Sequence, residues 1–139
     1  MVKVKIMAPE QNPPTETYIF EELACWQQAR RLRNLVALEI VKRLPADERH
    51  RLADQLLRAA RSVTANIVEG YGRYHYRDCY RFCAQARGSC FEVLDHMITA
   101  VDERLLAPEL LAECRRAVNS TVKVLNGYMA YLKRRAEAT

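Results

Sequence analysis

Apolar residues recur every three or four positions along most of the chain, which is the pattern of amphipathic helices. The first such stripe consists of Leu23, Trp26, Ala29, Leu32, Val36 and Ile40. It predicts helix 1 over residues 17–43. Three further stripes predict helix 2 over residues 45–69, helix 3 over residues 76–104 and helix 4 from residue 108 onward.

Glycine and proline are scarce, with 4 Gly and 5 Pro in 139 residues, and most of them lie before or between these stripes. Pro45 and Pro108 suit the first turns of helices 2 and 4, where a missing N–H costs nothing. We expect Gly70 to end helix 2 in a left-handed conformation. Gly88 and Gly127 lie inside helices 3 and 4. Each costs up to about 1 kcal/mol relative to alanine, so we expect both to mark close contacts between helices.

Helices joined by short turns pack antiparallel to one another. The sequence therefore predicts an all-α fold, an antiparallel up-down-up-down four-helix bundle, formed by residues 18–139. Residues 1–17 contain three prolines and a short alternating run, Val2-Lys-Val-Lys-Ile6, for which no partner strand is in view. We expect them to form an extended or flexible arm.

Half of the residues are hydrophobic and 28% are charged, as in globular proteins. The formal net charge of +5 permits a polyanionic partner without requiring one. No apolar run approaches the roughly 20 residues of a membrane span, and the start has no secretory apolar region. Five cysteines without a Cys-x-x-Cys pair are typical of reduced, buried thiols. Together these features predict a cytoplasmic protein with no membrane partner.

The sequence offers no support for enzyme activity or a cofactor. His75, Cys79 and Cys83 share one helical stripe, but zinc ligands usually come from two elements at shorter spacings, so we favour packed thiols over a metal site. Glu92 and His96 are four residues apart and have no second copy, so a di-iron centre lacks its ligands. Neither a nucleophilic triad nor a phosphate loop is present. We therefore expect no catalytic residue, no metal and no cofactor.

Polar residues recur on the predicted inner sides of helices 2 and 3. They are Arg58, Ser62, Asn66, Glu69, Gly88, Ser89 and Glu92. Buried polar groups are tolerated when they hydrogen-bond to one another. The spacing therefore predicts a structural network between the two helices, including an Arg58–Glu92 pair. A binding site is the alternative.

The segment of residues 71–81 interleaves four tyrosines with three arginines. Aromatic rings stack on bases and guanidinium groups pair with phosphates, so this composition suits nucleic acid. In an antiparallel bundle the segment lies at the same end as the basic C-terminal triplet. The candidate nucleic-acid-binding residues are therefore Arg73, Tyr74, Arg77, Arg81, Lys133, Arg134 and Arg135. Tyrosines packing against a neighbouring subunit are the alternative.

Helices 2 and 3 contain sequence motifs that are specific enough to indicate a protein family. The run Gln55-Leu-Leu-Arg-Ala-Ala-Arg-Ser-Val-Thr-Ala-Asn-Ile-Val-Glu-Gly70, followed by Ala86-Arg-Gly-Ser-Cys-Phe-Glu92, resembles the 23S rRNA intervening-sequence proteins. That family of four-helix bundles also contains the accessory variability protein of diversity-generating retroelements. The resemblance covers residues 18–135. The N-terminal arm and the cysteine-rich helix 3 depart from the family pattern.

The resemblance implies a homopentameric barrel with a positively charged surface. For the retroelement members it also implies binding of nucleic acid and of a reverse transcriptase. It brings no catalytic residues.

We favour two functions over a third, an enzyme with a site at the junction between subunits. The first is a non-enzymatic, oligomeric accessory protein that holds RNA or DNA by contacts from arginine and lysine to phosphates. The second is a protein-interaction module whose oligomer recruits a partner protein without binding nucleic acid. For either, the expected subunit contacts are apolar residues off the main stripes, namely Leu35, Leu38, Val41, Leu57 and Val68.

Overall fold

The computed structural model of the protein describes residues 19–138, so the predicted arm lies outside the described residues. Every regular element of the described part is helical. After a 3₁₀ turn at Phe20–Glu22 come helices α1 (Ala24–Asn34), α2 (Leu52–Tyr71), α3 (Tyr76–Asp102) and α4 (Pro108–Ala138). Each helix packs against the ones before and after it, and α4 also packs against α1. The predicted all-α four-helix architecture is confirmed.

The chain remains helical beyond the last α-helical residue of α1, Asn34. It continues through a π-helical segment, Leu35–Ile40, and a 3₁₀ turn, Val41–Arg43. Val36 and Ile40 are fully buried, while Leu38 is 62% exposed. The predicted end of helix 1 therefore agrees with the structure. The predicted start at residue 17 is wrong for the described residues, because the extended backbone of Leu23 separates the 3₁₀ turn from α1, which begins at Ala24.

The predicted start of helix 2 at Pro45 is wrong. Pro45 is extended, and Ala46–Glu48 forms a separate 3₁₀ turn. Arg51 then has φ −125° and ψ −102°, which interrupts helical geometry, so α2 begins at Leu52. Arg49, His50 and Arg51 separate this 3₁₀ turn from α2, and all three are exposed. Because the segment contains no apolar side chain, it does not pack against the core.

The four stripes meet in one core, in which Leu32, Leu56, Met97 and Leu125 are fully buried. Four of the five apolar residues expected at subunit contacts instead pack half-buried against this core, namely Leu35, Val41, Leu57 and Val68. Only Leu38 of that set stays largely exposed. Within residues 19–138, no helix combines the length and the apolar character that crossing a bilayer requires.

All five cysteines are buried and free, as their scattered positions predicted. The Cys79 Sγ lies 3.6 Å from the Tyr128 Oη in the core. Burial raises the pKa of Cys25 and Cys90 to about 12 and that of Cys114 to about 11. These thiols therefore stay protonated at neutral pH and contribute as small apolar groups.

The glycines behave differently from expectation. Gly70 lies inside α2 without a positive φ, and a Cβ there would be 3.0 Å from the Phe82 Cβ and 3.1 Å from the Cys79 carbonyl oxygen. Gly88 and Gly127 are exposed, with no described atom within 4 Å of such a Cβ. The predicted left-handed cap at Gly70 is wrong, and no other described helix of the same chain comes close to Gly88 or Gly127. Gly70 is the glycine that lets two helices approach.

Candidate functional site

The Tyr/Arg segment, residues 71–81, joins α2 to α3 at the end of the bundle where α4 also terminates. Residues 72–75 form the turn, and the extended backbone of His75 precedes the first residue of α3, Tyr76. The Arg135 Nε donates a hydrogen bond to the Tyr76 Oη at 3.3 Å, and its guanidinium lies 5.3 Å from the ring. This contact places the last turns of α4 beside the first turn of α3.

A cavity of about 570 Å³ opens between these two helix ends. Its walls carry three cations, two carboxylates, a tyrosine ring and a methyl group. They belong to Arg77, Arg81, Lys133, Asp78, Glu137, Tyr80 and Ala136. The volume lies within the range of sites for small molecules, about 300–1,000 Å³. Three cations around an aromatic ring suit a phosphate attached to a planar base.

Two arginines of the Tyr/Arg segment already have acidic partners. Arg73 donates two hydrogen bonds to the Glu69 Oε2, at 3.2 and 2.9 Å, and its guanidinium lies 4.7 Å from the Phe82 ring. Arg81 pairs with Asp78. Exposed pairs of this kind contribute about 0–1 kcal/mol, so a phosphate can replace the carboxylate at small cost.

The other predicted residues at this end differ in their surroundings. Tyr74 is 66% exposed, with its ring edge-on to that of His75. Arg134 is exposed on α4, and Arg135 is held by Tyr76. The structure thus brings Arg77, Arg81 and Lys133 together at the cavity. Arg73, Tyr74, Arg134 and Arg135 lie outside its walls.

Two pKa shifts accompany this arrangement. Burial raises the pKa of Tyr131, whose ring lies edge-on to that of Tyr76. The hydrogen bond that Arg135 donates to the Tyr76 hydroxyl oxygen raises the pKa of Arg135. At neutral pH Tyr131 is therefore neutral and Arg135 is charged.

The predicted polar network between helices 2 and 3 is smaller than expected. The hydroxyls of Ser62 and Ser89 form a hydrogen bond of 2.9 Å across the two helices. The Asn66 Nδ2 donates to both the carbonyl oxygen and the Oγ of Ser62, each at 2.9 Å. These three residues join α2 to α3; Ser89 is buried, and Ser62 and Asn66 are half-buried.

The charged members of that predicted set point to solvent. Glu92 lies 3.3 Å from the His96 Nε2 instead of pairing with Arg58, and Glu69 pairs with Arg73. No carboxylate among residues 19–138 is within ion-pair distance of Arg58. The predicted Arg58–Glu92 pair is wrong.

The stripe of His75, Cys79 and Cys83 does not form one site. His75 is exposed in the turn, whereas both cysteines are fully buried in the core. In the part of the chain that the structure describes, no three metal-binding side chains come close enough to hold an ion.

One cationic feature escaped the sequence-based prediction, which considered only the C-terminal triplet of helix 4. Arg115, Arg116 and Lys123 are also exposed on α4. The signal is present in the sequence, because no acidic residue occurs between Glu113 and Glu137.

Comparison with known proteins gives one family match. A family model described as 23S rRNA-intervening sequence protein matches residues 21–127. The search of curated proteins finds no match.

Proposed function

The chain belongs to the 23S rRNA-intervening sequence protein family, and from that premise we propose that it is a non-enzymatic, cytoplasmic accessory protein that binds nucleic acid as a homo-oligomer. Arginine and lysine side chains contact the phosphates of RNA or DNA. The resemblance to retroelement accessory proteins makes a reverse transcriptase the expected protein partner of the bound complex.

The observation that carries this proposal is the cavity at the Tyr/Arg segment. Arg77, Arg81 and Lys133 surround it from two helices, and Tyr80 supplies an aromatic surface. The exposed ring of Tyr74 stands in the neighbouring turn. Unpaired nucleotides need both groups, because their phosphates pair with cations and their bases stack on rings.

Fluorescence anisotropy with a labelled RNA hairpin that carries a single-stranded tail tests the proposal. The protein should bind at low salt, and the affinity should fall steeply as salt rises because bound phosphates release counterions. Substituting Arg77→Gln, Arg81→Gln and Lys133→Gln together should weaken binding of the tailed hairpin.

The matched control, here named the control variant, combines Lys42→Gln, Arg43→Gln and Arg49→Gln. These exposed cations lie beyond the opposite end of the bundle, so the control variant removes the same charge from another place. A wild-type protein that binds neither RNA nor DNA at low salt would overturn the proposal.

We further propose that the oligomer is a homopentamer, as the resemblance implies, and that the outer side of α3 forms a subunit contact. Gly88 leaves open space on that side, and Phe91 is 45% exposed nearby. An exposed glycine inside a helix costs stability, and close approach of a second copy would compensate for it.

Analytical ultracentrifugation of Gly88→Trp tests this contact. Gly127→Trp is the matched control, because Gly127 is equally open and also lies inside a helix. The wild type and Gly127→Trp should sediment as pentamers, and Gly88→Trp should dissociate. A wild-type monomer at micromolar concentration would rule out the assembly.

The second candidate function is recruitment of a partner protein without nucleic acid. The exposed rings of Tyr74 and Phe91 favour it, since aromatic residues are enriched in protein interfaces. An affinity pull-down that recovers one defined protein after nuclease treatment, from a protein that binds no RNA or DNA, would select this alternative.

A further inference from the structure

Helix α4 carries a long cationic surface. Six basic residues occur between Glu113 and Glu137, without an acidic residue among them. They are Arg115, Arg116, Lys123, Lys133, Arg134 and Arg135, and all six are exposed. We name the outward part of this run, marked by Arg116, Lys123 and Arg134, the α4 stripe.

The cations of the α4 stripe form no ion pair within the described residues, and neither does any other cation of α4. By contrast, Arg73 and Arg81 of the Tyr/Arg segment pair with Glu69 and Asp78. Binding of a polyanion to α4 therefore breaks no existing ion pair, whereas binding at those two arginines does.

The stripe is straight and sterically open. At about 100° per residue, positions 116, 123 and 134 fall within roughly 20° of one another around α4, and at about 1.5 Å per residue they span about 27 Å. The exposed residues between them include Asn126, Gly127 and Ala130, which are short. No described atom lies near the open position at Gly127. A rod-like polyanion can therefore lie along the helix.

The chemistry of the stripe differs from that of the Tyr/Arg segment. Its exposed side chains are basic, amide, hydroxyl or methyl groups, while Tyr128 and Tyr131 of the same helix are buried and half-buried. Such a surface can pair with phosphates and donate hydrogen bonds, but it offers no ring for an unpaired base to stack on.

Packing the α4 stripe of a second copy against this one opposes like charges and costs binding free energy. Lys133, which follows directly before Arg134 of the stripe in the sequence, lies in the cavity wall about 100° around α4 from the stripe.

From these features we infer that the α4 stripe is a track for the phosphate backbone of a nucleic-acid duplex, which it binds without regard to base sequence. This inference rests on the proposed nucleic-acid-binding function and assigns a separate surface to paired strands. A stem lies along α4, and the unpaired strand that leaves it reaches the cavity.

The test uses the stripe variant, which combines Arg116→Gln, Lys123→Gln and Arg134→Gln, and the control variant. The probes are two RNA duplexes of unrelated sequence, each about 20 base pairs, and a single strand of the same length. Wild-type protein should bind both duplexes equally. For the stripe variant, the slope of log affinity against log salt should fall by roughly three, since each lost phosphate contact removes about 0.9. Its affinity at low salt should fall about tenfold or more.

Folding is checked by circular dichroism, and the charge-retaining variant Arg116→Lys with Arg134→Lys should bind like the wild type. If wild-type protein binds the duplexes and the stripe variant keeps the slope of the control variant, the inference is wrong and the proposed function stands. If wild-type protein binds neither duplex nor single strand, the proposed function fails and the inference fails with it. Binding of the single strand alone also contradicts the inference, because it would show that the α4 stripe does not bind paired strands.

Discussion

At the scale of single residues, the distance to a neighbouring helix determines whether glycine is required at a position. Gly70 sits where α2 meets α3, and the backbone of Cys79 comes within 3.1–3.2 Å of the position of an added Cβ. Gly127 lies on an exposed side of α4 with open space around it. The same residue type is therefore required at one position and only costs helix stability at the other.

Gly70→Ala should destabilise the protein by about 1–3 kcal/mol, because the new methyl group meets backbone atoms that cannot move aside freely. Gly127→Ala is the matched control and should stabilise the protein by up to about 1 kcal/mol through higher helix propensity. Urea unfolding followed by circular dichroism measures both. Equal effects of the two substitutions would contradict the close approach at Gly70.

The buried thiols make stability depend on alkaline pH. Below pH 9.0, the ordinary thiol pKa, Cys90 and Cys114 are protonated in both the folded and the unfolded state. Above it the unfolded chain loses thiol protons, while Cys90 and Cys114 keep theirs until their raised pKa values of about 12 and 11. The unfolded state then binds fewer protons, so the free energy of unfolding falls as pH rises from 9 toward 11–12.

We therefore expect the free energy of unfolding in urea to fall steadily between about pH 9 and about pH 10.5. In Cys114→Ala the overall stability should be lower because a buried group is lost, but the fall with pH should be shallower. A free energy of unfolding that stays constant over this range would contradict the buried state of the thiols.

At the scale of helices, specific hydrogen bonds fix how neighbours face one another. Ser62 and Ser89 join α2 to α3, and Asn66 orients the Ser62 hydroxyl. The Arg33 Nη1 donates to the Thr64 Oγ1 at 3.2 Å and joins α1 to α2. These polar contacts add to the packing of the apolar core in favouring one alignment of the helices.

A double-mutant cycle with Ser62→Ala and Ser89→Ala should give a coupling free energy of about 0.5–1.5 kcal/mol, measured by urea unfolding at fixed protein concentration. Ser120→Ala on the exposed side of α4 serves as the control and should change stability by less than about 0.5 kcal/mol. Strict additivity of the two serine substitutions would show that their hydrogen bond contributes nothing.

At the scale of the whole molecule, charge is distributed unevenly although the net charge is only +5. The acid-free run of α4 contrasts with the preceding stretch, residues 95–113, in which Asp95, Asp102, Glu103, Glu109 and Glu113 are all exposed. A charged partner interacts with this local distribution of charge and not only with the net charge of the whole molecule.

Cation-exchange chromatography should therefore separate the stripe variant from the control variant, although both carry a formal net charge of +2 after losing three cations from +5. The stripe variant should elute at lower salt, because it loses the surface that faces the resin. Co-elution of the two variants would show that the cations of α4 do not act as one surface. This measurement is independent of whether nucleic acid is bound.

The sequence alone was sufficient for the four helices, the composition of the core and the family. A 3.6-residue period is a local property, and burying four apolar stripes leaves few arrangements other than a bundle. The acid-free run of helix 4 can also be identified from the sequence, because it consists of consecutive residues.

Tertiary structure alone decided which side chains meet. The proximity of Gly70 to α3, the pairing of Glu92 with His96 rather than Arg58, and the cavity shared by Arg77 and Lys133 all depend on the axial shift and rotation of one helix against another. No single helix encodes these quantities, because they are set by the packing of all four around the common core.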